Sequence, residues 1–224
     1  MTRPGQVKIA DLDGNGFIDP GNFAVDDHGD LRIIGNQSPR YRYGVNLSAR
    51  WNGIGLSVFL QGVGARDWYP GSDAGMFWGK YGRPFFALIP SIHNYTDDMY
   101  SAERNNWDTA YWPRMTTYQS NGTKNWTRLL EIPNTRYIQS AAYLRVKNIQ
   151  LDYSFPKHIC SAIRLQGLKI YVNAENLFTF TPLHKYAPNF DPEGLSYDSD
   201  FASAADGYTY PILKSVTVGV NITF

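Results

Sequence analysis

A period of two recurs five times along these 224 residues, and it commits the chain to β architecture. From Tyr41 to Trp51 one face reads Tyr41, Tyr43, Val45, Leu47, Ala49, Trp51 and the other Arg42, Gly44, Asn46, Ser48, Arg50. Ile54, Leu56, Val58 and Leu60 oppose Gly55, Ser57, Phe59 and Gln61. Ile149, Leu151, Tyr153 and Phe155 oppose Gln150, Asp152 and Ser154, while Leu144 and Val146 fall in the opposite phase, which assigns that end a different environment. Leu168, Ile170, Val172 and Ala174 oppose Lys169, Tyr171, Asn173 and Glu175. Val216, Val218, Val220, Ile222 and Phe224 oppose Ser215, Thr217, Gly219, Asn221 and Thr223, with no polar tail beyond.

The connections are as informative as the strands. Asn52-Gly53 alone joins the first pair, the strongest two-residue hairpin signal. About 80 residues separate the second strand from the third, far beyond ordinary hairpin loops. A modest turn, PKHICSAIRLQG, follows Phe155, and a long Pro-containing stretch runs from 181 to 212. Short and long connections alternate, as the short periplasmic turns and long extracellular loops of an outer-membrane barrel do. The strands also have the ~9–11 residues that a tilted strand needs to cross a bilayer.

Composition narrows the partners. Lys plus Arg is 21 and Asp plus Glu 20, a net charge of +1 that lacks the basic excess of a nucleic-acid binder. Aromatics reach 15%, and those at strand ends (Tyr41, Tyr43, Trp51, Phe155, Phe178, Phe180, Phe224) fit an interfacial girdle. Mean hydropathy is −0.38 and no apolar run approaches the ~18 residues of a membrane helix, which leaves a barrel open because alternation averages out. The single cysteine, Cys160, excludes an intrachain disulfide framework. A soluble, secreted β-sandwich that binds carbohydrate is the competing fold. The small polar face of the last strand suits a watery lumen better than a packed core.

Several stretches, in order, carry a family resemblance. They are Val7-Lys8-Ile9-Ala10-Asp11-Leu12-Asp13-Gly14-Asn15-Gly16-Phe17-Ile18-Asp19; Ile33-Ile34-Gly35-Asn36 with Ser38-Pro39 and Tyr43-Gly44; and Ser57-Val58-Phe59-Leu60-Gln61-Gly62-Val63-Gly64 with Arg66-Asp67. Tyr143-Leu144-Arg145-Val146-Lys147-Asn148-Ile149, Asn176-Leu177-Phe178-Thr179-Phe180 and Val218-Gly219-Val220-Asn221-Ile222-Thr223-Phe224 follow. Together they resemble the C-terminal part of SusC/RagA-type TonB-dependent outer-membrane receptors. The resemblance implies an all-β fold: a C-terminal segment of about five to six antiparallel strands from a large transmembrane β-barrel of about 22 strands with long extracellular loops. Residues 1–40 would form an extracellular loop region, and 41–224 the strands and loops of the barrel. The plug and the TonB-contacting box are not visible, so a C-terminal fragment is expected, its export signal lying with the missing N-terminal part.

Further implications of the resemblance are import of a glycan or an oligopeptide, no catalysis, and residence in the outer membrane of a Gram-negative cell. The implied partners are a SusD-like surface lipoprotein, the TonB-ExbB-ExbD complex acting through the missing N-terminal part, the barrel-assembly machinery and membrane lipid, with no nucleic acid. The terminal Thr217, Gly219, Ile222 and Phe224 resemble the signal read by that machinery. Trp68, Tyr69, Trp78, Tyr81, Trp107 and Trp112, from the aromatic-rich 63–136 connection, are the candidates for contact with ligand or lid protein. Flat rings stack on sugars, and equally on one another.

Asp11, Asp13, Asn15 and Asp19 have the 1, 3, 5, 9 spacing of a calcium loop of low affinity. Position 12 is Asn22 rather than Glu, and a cluster of Asx turns is an equal reading. The four histidines show no ligand spacing. Asp97-Asp98 and Asp191/Glu193 could supply the acid pair of a glycoside hydrolase, but nothing in the sequence sets them across one cleft, and solvated loop acids are the better reading.

Overall fold

The computed structural model describes residue 5 and residues 7–69, 100–112, 133–188, 190–195 and 212–224. The chain divides into two compact units, Met1–Ser38 with Asp67–Ser140 and Leu183–Tyr210, and Pro39–Arg66 with Ala141–Pro182 and Pro211–Phe224.

The second unit is a five-stranded antiparallel sheet. Its strands are β1 (Arg40–Trp51), β2 (Ile54–Ala65), β5 (Tyr143–Ser154), β6 (Gly167–Phe180) and β7 (Ser215–Thr223), side by side in that order. All five expected strands form. The β1–β2 hairpin turns on Asn52 (φ 46°) and Gly53 (φ 85°), the two left-handed residues that a tight primed turn requires. The turn after β5 holds a short helix, α1 (Lys157–Ala162), which the absence of any periodic run had hidden.

Pairing aligns the apolar positions into rows. Val45 pairs with Leu60, Leu60 with Val146 and Val146 with Phe178. A parallel row runs Ala49, Leu56, Leu151, Val172, Val218. The register shifts between Phe59 and Leu60 on one side of β5, and between Val146 and Asn148 on the other. Lys147 is thus the extra residue of a bulge, and Asn176 (φ 52°) takes up the matching irregularity in β6. This corrects the expectation for Leu144 and Val146. Their reversed phase does not mark a different environment, because the bulge resets the alternation and keeps them on the face of Ile149 and Leu151.

The sheet is single-layered and open, with β1 and β7 at its edges. A soluble sandwich would pack a second sheet ~10 Å across the apolar face. Among the described residues the other ladder is a two-residue pair, β3 (Asp67–Trp68) with β4 (Gln139–Ser140), and the apolar face stays exposed. The sandwich expectation therefore fails on the fold.

Among its described residues the first unit has little regular structure and is tied together by polar turns and rings. Asp67 donates its N–H to the Asn36 carbonyl at 2.9 Å, and its carboxylate accepts the Asn36 N–H at 2.8 Å. A Cβ on Gly35 would lie 2.6 Å from Ile138 and 2.9 Å from the Asp67 carboxylate, so the glycine admits this close approach. Two of the quoted stretches, Ile33–Asn36 and Arg66–Asp67, thus owe their sequence partly to one structural joint.

Candidate functional site

The most distinctive surface is the apolar face of the five-stranded sheet. Its aliphatic side chains lie open, with Val218 72% and Val216 66% exposed, and Leu47, Leu151 and Val172 also on the surface. Each such side chain kept in water forgoes about 1.5–3 kcal/mol, so a wall of them requires an apolar neighbour. Aromatics bracket the aliphatic band. Tyr43, Phe178 and Phe180 stand at the end where the long connections leave, and Trp51, Tyr153, Phe155 and Phe224 at the end of the short turns. The Tyr153 and Phe155 rings meet edge to face at 5.0 Å. Tyr43 and Trp51 are eight residues apart, about 26 Å along the strand and about 20 Å in height at a ~40° tilt, near the ~25 Å apolar band of a membrane barrel.

The opposite face is small, polar and hydrogen-bonded. Ser48, Ser57, Gln150, Asn173 and Thr217 form one cross-strand row. Asn148 donates to Asn173 at 2.8 Å, and the Arg145 guanidinium to the Thr179 hydroxyl at 2.9 Å. Tyr143–Ile149 and Asn176–Phe180, two more of the quoted stretches, are therefore partners in one ladder. Toward the turn end, Asp152 is held between Arg50 (3.0 Å) and Lys169 (3.3 Å). The same row runs on from Asp152 through Tyr171 to Gly219, where an added Cβ would collide with the Tyr171 ring. Of the expected assembly-signal residues, Thr217 and Gly219 face this polar side, whereas Ile222 and Phe224 face the apolar one, Phe224 being 83% exposed at the sheet edge.

The aromatic residues of the first unit are arranged in reverse. Trp68, Tyr69 and Trp112, three of the ligand-contact candidates, are buried at 2%, 5% and 1% exposure. Trp68 packs against Phe190 at 5.3 Å, and Trp112 stacks on Tyr137 at 5.9 Å. Tyr111 stacks on Tyr186 at 3.8 Å, and the Arg136 guanidinium lies over the Tyr111 ring at 5.2 Å. The Asn134 amide donates to the Tyr69 hydroxyl at 2.9 Å, and the Gln139 amide to that of Tyr111 at 2.6 Å. Burial pushes the phenols of Tyr69 and Tyr137 well above the usual tyrosine range, and that of Tyr111 upward as well. For these rings, mutual packing is what the structure displays. Trp107, at 66% exposure, is the described candidate that offers a ring to solvent. Trp78 and Tyr81 lie outside the described residues, as do Asp97 and Asp98. Asp191 accepts the Glu193 N–H at 2.9 Å in a local turn.

In the Asp/Gly-rich segment, one carboxylate oxygen each from Asp11, Asp13 and Asp30 lies within 4.8 Å of the others. Asp30 enters this group and Asp19 does not. Asp30 sits there because its own N–H bonds the Asp19 carbonyl at 2.9 Å, while its carboxylate accepts the N–H groups of Leu12 (2.5 Å) and Asp19 (2.9 Å). Asp11 accepts from Gly16 at 2.9 Å and Gly14 at 2.6 Å. The Gly16 N–H foremost holds the Asp11 carboxyl below its ordinary range. Asn15 donates to Asp13 at 2.9 Å. Three such oxygens can hold a hard cation if carbonyls or waters complete the shell, and they equally serve Asx turns.

Against known proteins the chain is similar throughout to receptors. It is 27% identical over 227 residues to TonB-dependent receptor P3 of Formosa agariphila, covering 99% of this chain and 19% of that protein. TonB-dependent receptor P26 of the same organism is 22% identical, over 98% of this chain and 20% of its own length. The chain thus spans about a fifth of the length of these curated relatives. Among solved structures, the RagAB peptide transporter aligns over 88% of the chain with a TM-score of 0.55 and 20% identity, covering 18% of that structure's chain. The same importer in its closed-closed state aligns over 99% with a TM-score of 0.54 and 21% identity, covering 20%. No protein-family model matches the chain. The expected resemblance to SusC/RagA-type TonB-dependent receptors holds over the whole chain, and the sheet is a run of barrel strands that does not close on itself.

Proposed function

We propose that this chain is the C-terminal wall and loops of a SusC/RagA-type TonB-dependent receptor that imports a nutrient oligomer, a glycan or an oligopeptide, across a Gram-negative outer membrane. The two-faced sheet carries this reading: an aliphatic face banded by aromatics for lipid, and a small polar face for a water-filled interior. On this reading the Asn52-Gly53 turn and the 155–166 turn lie in the periplasm, and residues 1–39, 66–142 and 181–214 lie outside the cell.

The open edges of β1 and β7 carry unpaired backbone groups that lipid cannot satisfy, so further strands close the barrel in the whole receptor. A SusD-like lipoprotein covers the outer loops, with Trp107 among the rings offered to it or to cargo. TonB-ExbB-ExbD acts through the N-terminal part of the receptor. The barrel-assembly machinery reads β7 through Thr217, Gly219, Ile222 and Phe224. Calcium bound at Asp11, Asp13 and Asp30 would brace the outer segment before β1. The chain performs no catalysis; its relatives are receptors and transporters.

Membrane fractionation of cells expressing the chain within its receptor tests the reading. The receptor is expected in the outer membrane as a heat-modifiable barrel, with uptake of a labelled oligomer that stops when TonB is deleted. A chain recovered folded and monomeric without detergent, melting cooperatively, would contradict it.

A further inference from the structure

The turn between β5 and β6 contains more than a hairpin needs. From Pro156 to Gln166 it carries Lys157, His158 and Arg164 and no acidic residue. Helix α1 within it turns Cys160 inward, 1% exposed, its sulfur 3.7 Å from the Phe155 carbonyl. Two larger apolar side chains are left outside, Ile159 at 39% and Ile163 at 53% exposure. A short turn built for water would have no reason to present both. The segment is also anchored at the rim of the sheet: the Gln166 N–H donates to the Thr223 carbonyl at 2.8 Å, and the Phe155 N–H to the Leu168 carbonyl at 2.9 Å. That places it beside the aromatic end row of the lipid-facing wall, where Trp51 is 77% and Phe224 83% exposed.

We propose that α1 and its flanks are a lipid-anchoring element, with Ile159 and Ile163 seated at the acyl boundary of the leaflet at the turn end and Lys157 and Arg164 reaching anionic phospholipid headgroups. Two observations select phospholipid as the occupant. The exposed isoleucines lie in a segment hydrogen-bonded to the end of a sheet whose apolar face is banded by aromatics, and the basic charge of a segment without acidic residues matches a phosphate layer. An acidic protein partner would meet the same cations but would gain nothing from the wall beside them. The inference rests on the apolar face being a lipid wall.

The test uses the whole receptor that contains this chain, reconstituted in vesicles of phosphatidylethanolamine with phosphatidylglycerol. In a Cys160→Ala background, single cysteines at Ile163, Ser161 and Val218 carry an environment-sensitive fluorophore, quenched by brominated lipid or by aqueous iodide. The label at 218 reports the wall. The expected result is brominated-lipid quenching at 163 at least half as strong as at 218, and at least fivefold stronger than at 161. Replacing phosphatidylglycerol by phosphatidylcholine should lower quenching at 163 about twofold and leave 218 unchanged, and Lys157→Gln with Arg164→Gln should do the same. Lipid quenching at 218 with iodide quenching at 163 equal to that at 161 overturns the anchor and leaves the wall standing. Depth at 163 that is indifferent to anionic lipid overturns the headgroup contact. Iodide quenching at 218 overturns the wall itself, and with it this inference.

Discussion

The two units spend the same aromatic residues in opposite ways. In the loop unit Trp112 is 1% exposed and packs among Tyr111, Tyr137 and Tyr186, while in the sheet unit Trp51 is 77% exposed at the end of a row of bare aliphatics. The polar residues are inverted as well: Ser, Thr and Asn of the sheet gather on one shared face, and those of the loops make turns. A chain that folded in a single solvent would not line one whole sheet face with bare aliphatics. The difference teaches that the loop unit has a core suited to water and the sheet a surface suited to lipid.

Substitutions that exchange the two regimes should cost most where the comparison is sharpest. Trp112→Ala removes a fully buried ring and should destabilise the loop unit by about 3–5 kcal/mol. Limited proteolysis should then cut within 100–140 while the heat-modifiable barrel band persists; an unchanged digest would show that the ring is not a core residue. Val218→Arg sets a charge in the apolar band and should cost about 2–4 kcal/mol in lipid-vesicle unfolding, whereas Thr217→Arg on the polar face should cost under about 1. Equal costs at the two neighbours would erase the distinction between the faces.

Gly219→Ala forces a Cβ into the Tyr171 ring and should cost about 1–3 kcal/mol, with partial recovery in the Tyr171→Ser double variant, read by the same unfolding assay. Alkali should separate the units more gently. The folded loop unit holds Tyr111 and Tyr137 neutral above the ordinary value of about 10, so their contribution is whole below that pH and is lost as pH rises through the elevated values. Tyrosinate absorbance should appear late, together with new protease sensitivity. Ionisation of all tyrosines near the ordinary value would contradict the buried cluster. The smallest effect is expected from calcium. Millimolar ion should protect residues 8–35 from proteolysis with a Kd of about 10⁻⁴–10⁻³ M, and Asp30→Asn should abolish this; protection that survives the change would place the ion elsewhere.

What could be read from sequence follows the same division. The strands and the Asn52-Gly53 turn were legible because a period of two and a left-handed pair are local codes. The phase reversal at Leu144 and Val146 was visible, but its meaning was not, since only pairing with β2 and β6 reveals Lys147 as an inserted residue. Asp30 was missed because a backbone bond to Asp19, eleven residues earlier, brings it to Asp11 and Asp13. The burial of Trp68, Tyr69 and Trp112 was equally hidden: rings in irregular chain have no periodicity that says which way they point. Helix α1 escaped because six residues are too few to show a helical stripe.

Spin labels placed singly from 215 to 223 along β7, in lipid bilayers, test the central claim most directly. The account predicts oxygen accessibility that peaks at 216, 218, 220 and 222, and accessibility to a water-soluble nickel chelate that peaks at 215, 217, 219 and 221. An oxygen profile without that alternation, or one with its phase reversed, would contradict a sheet with one face in lipid.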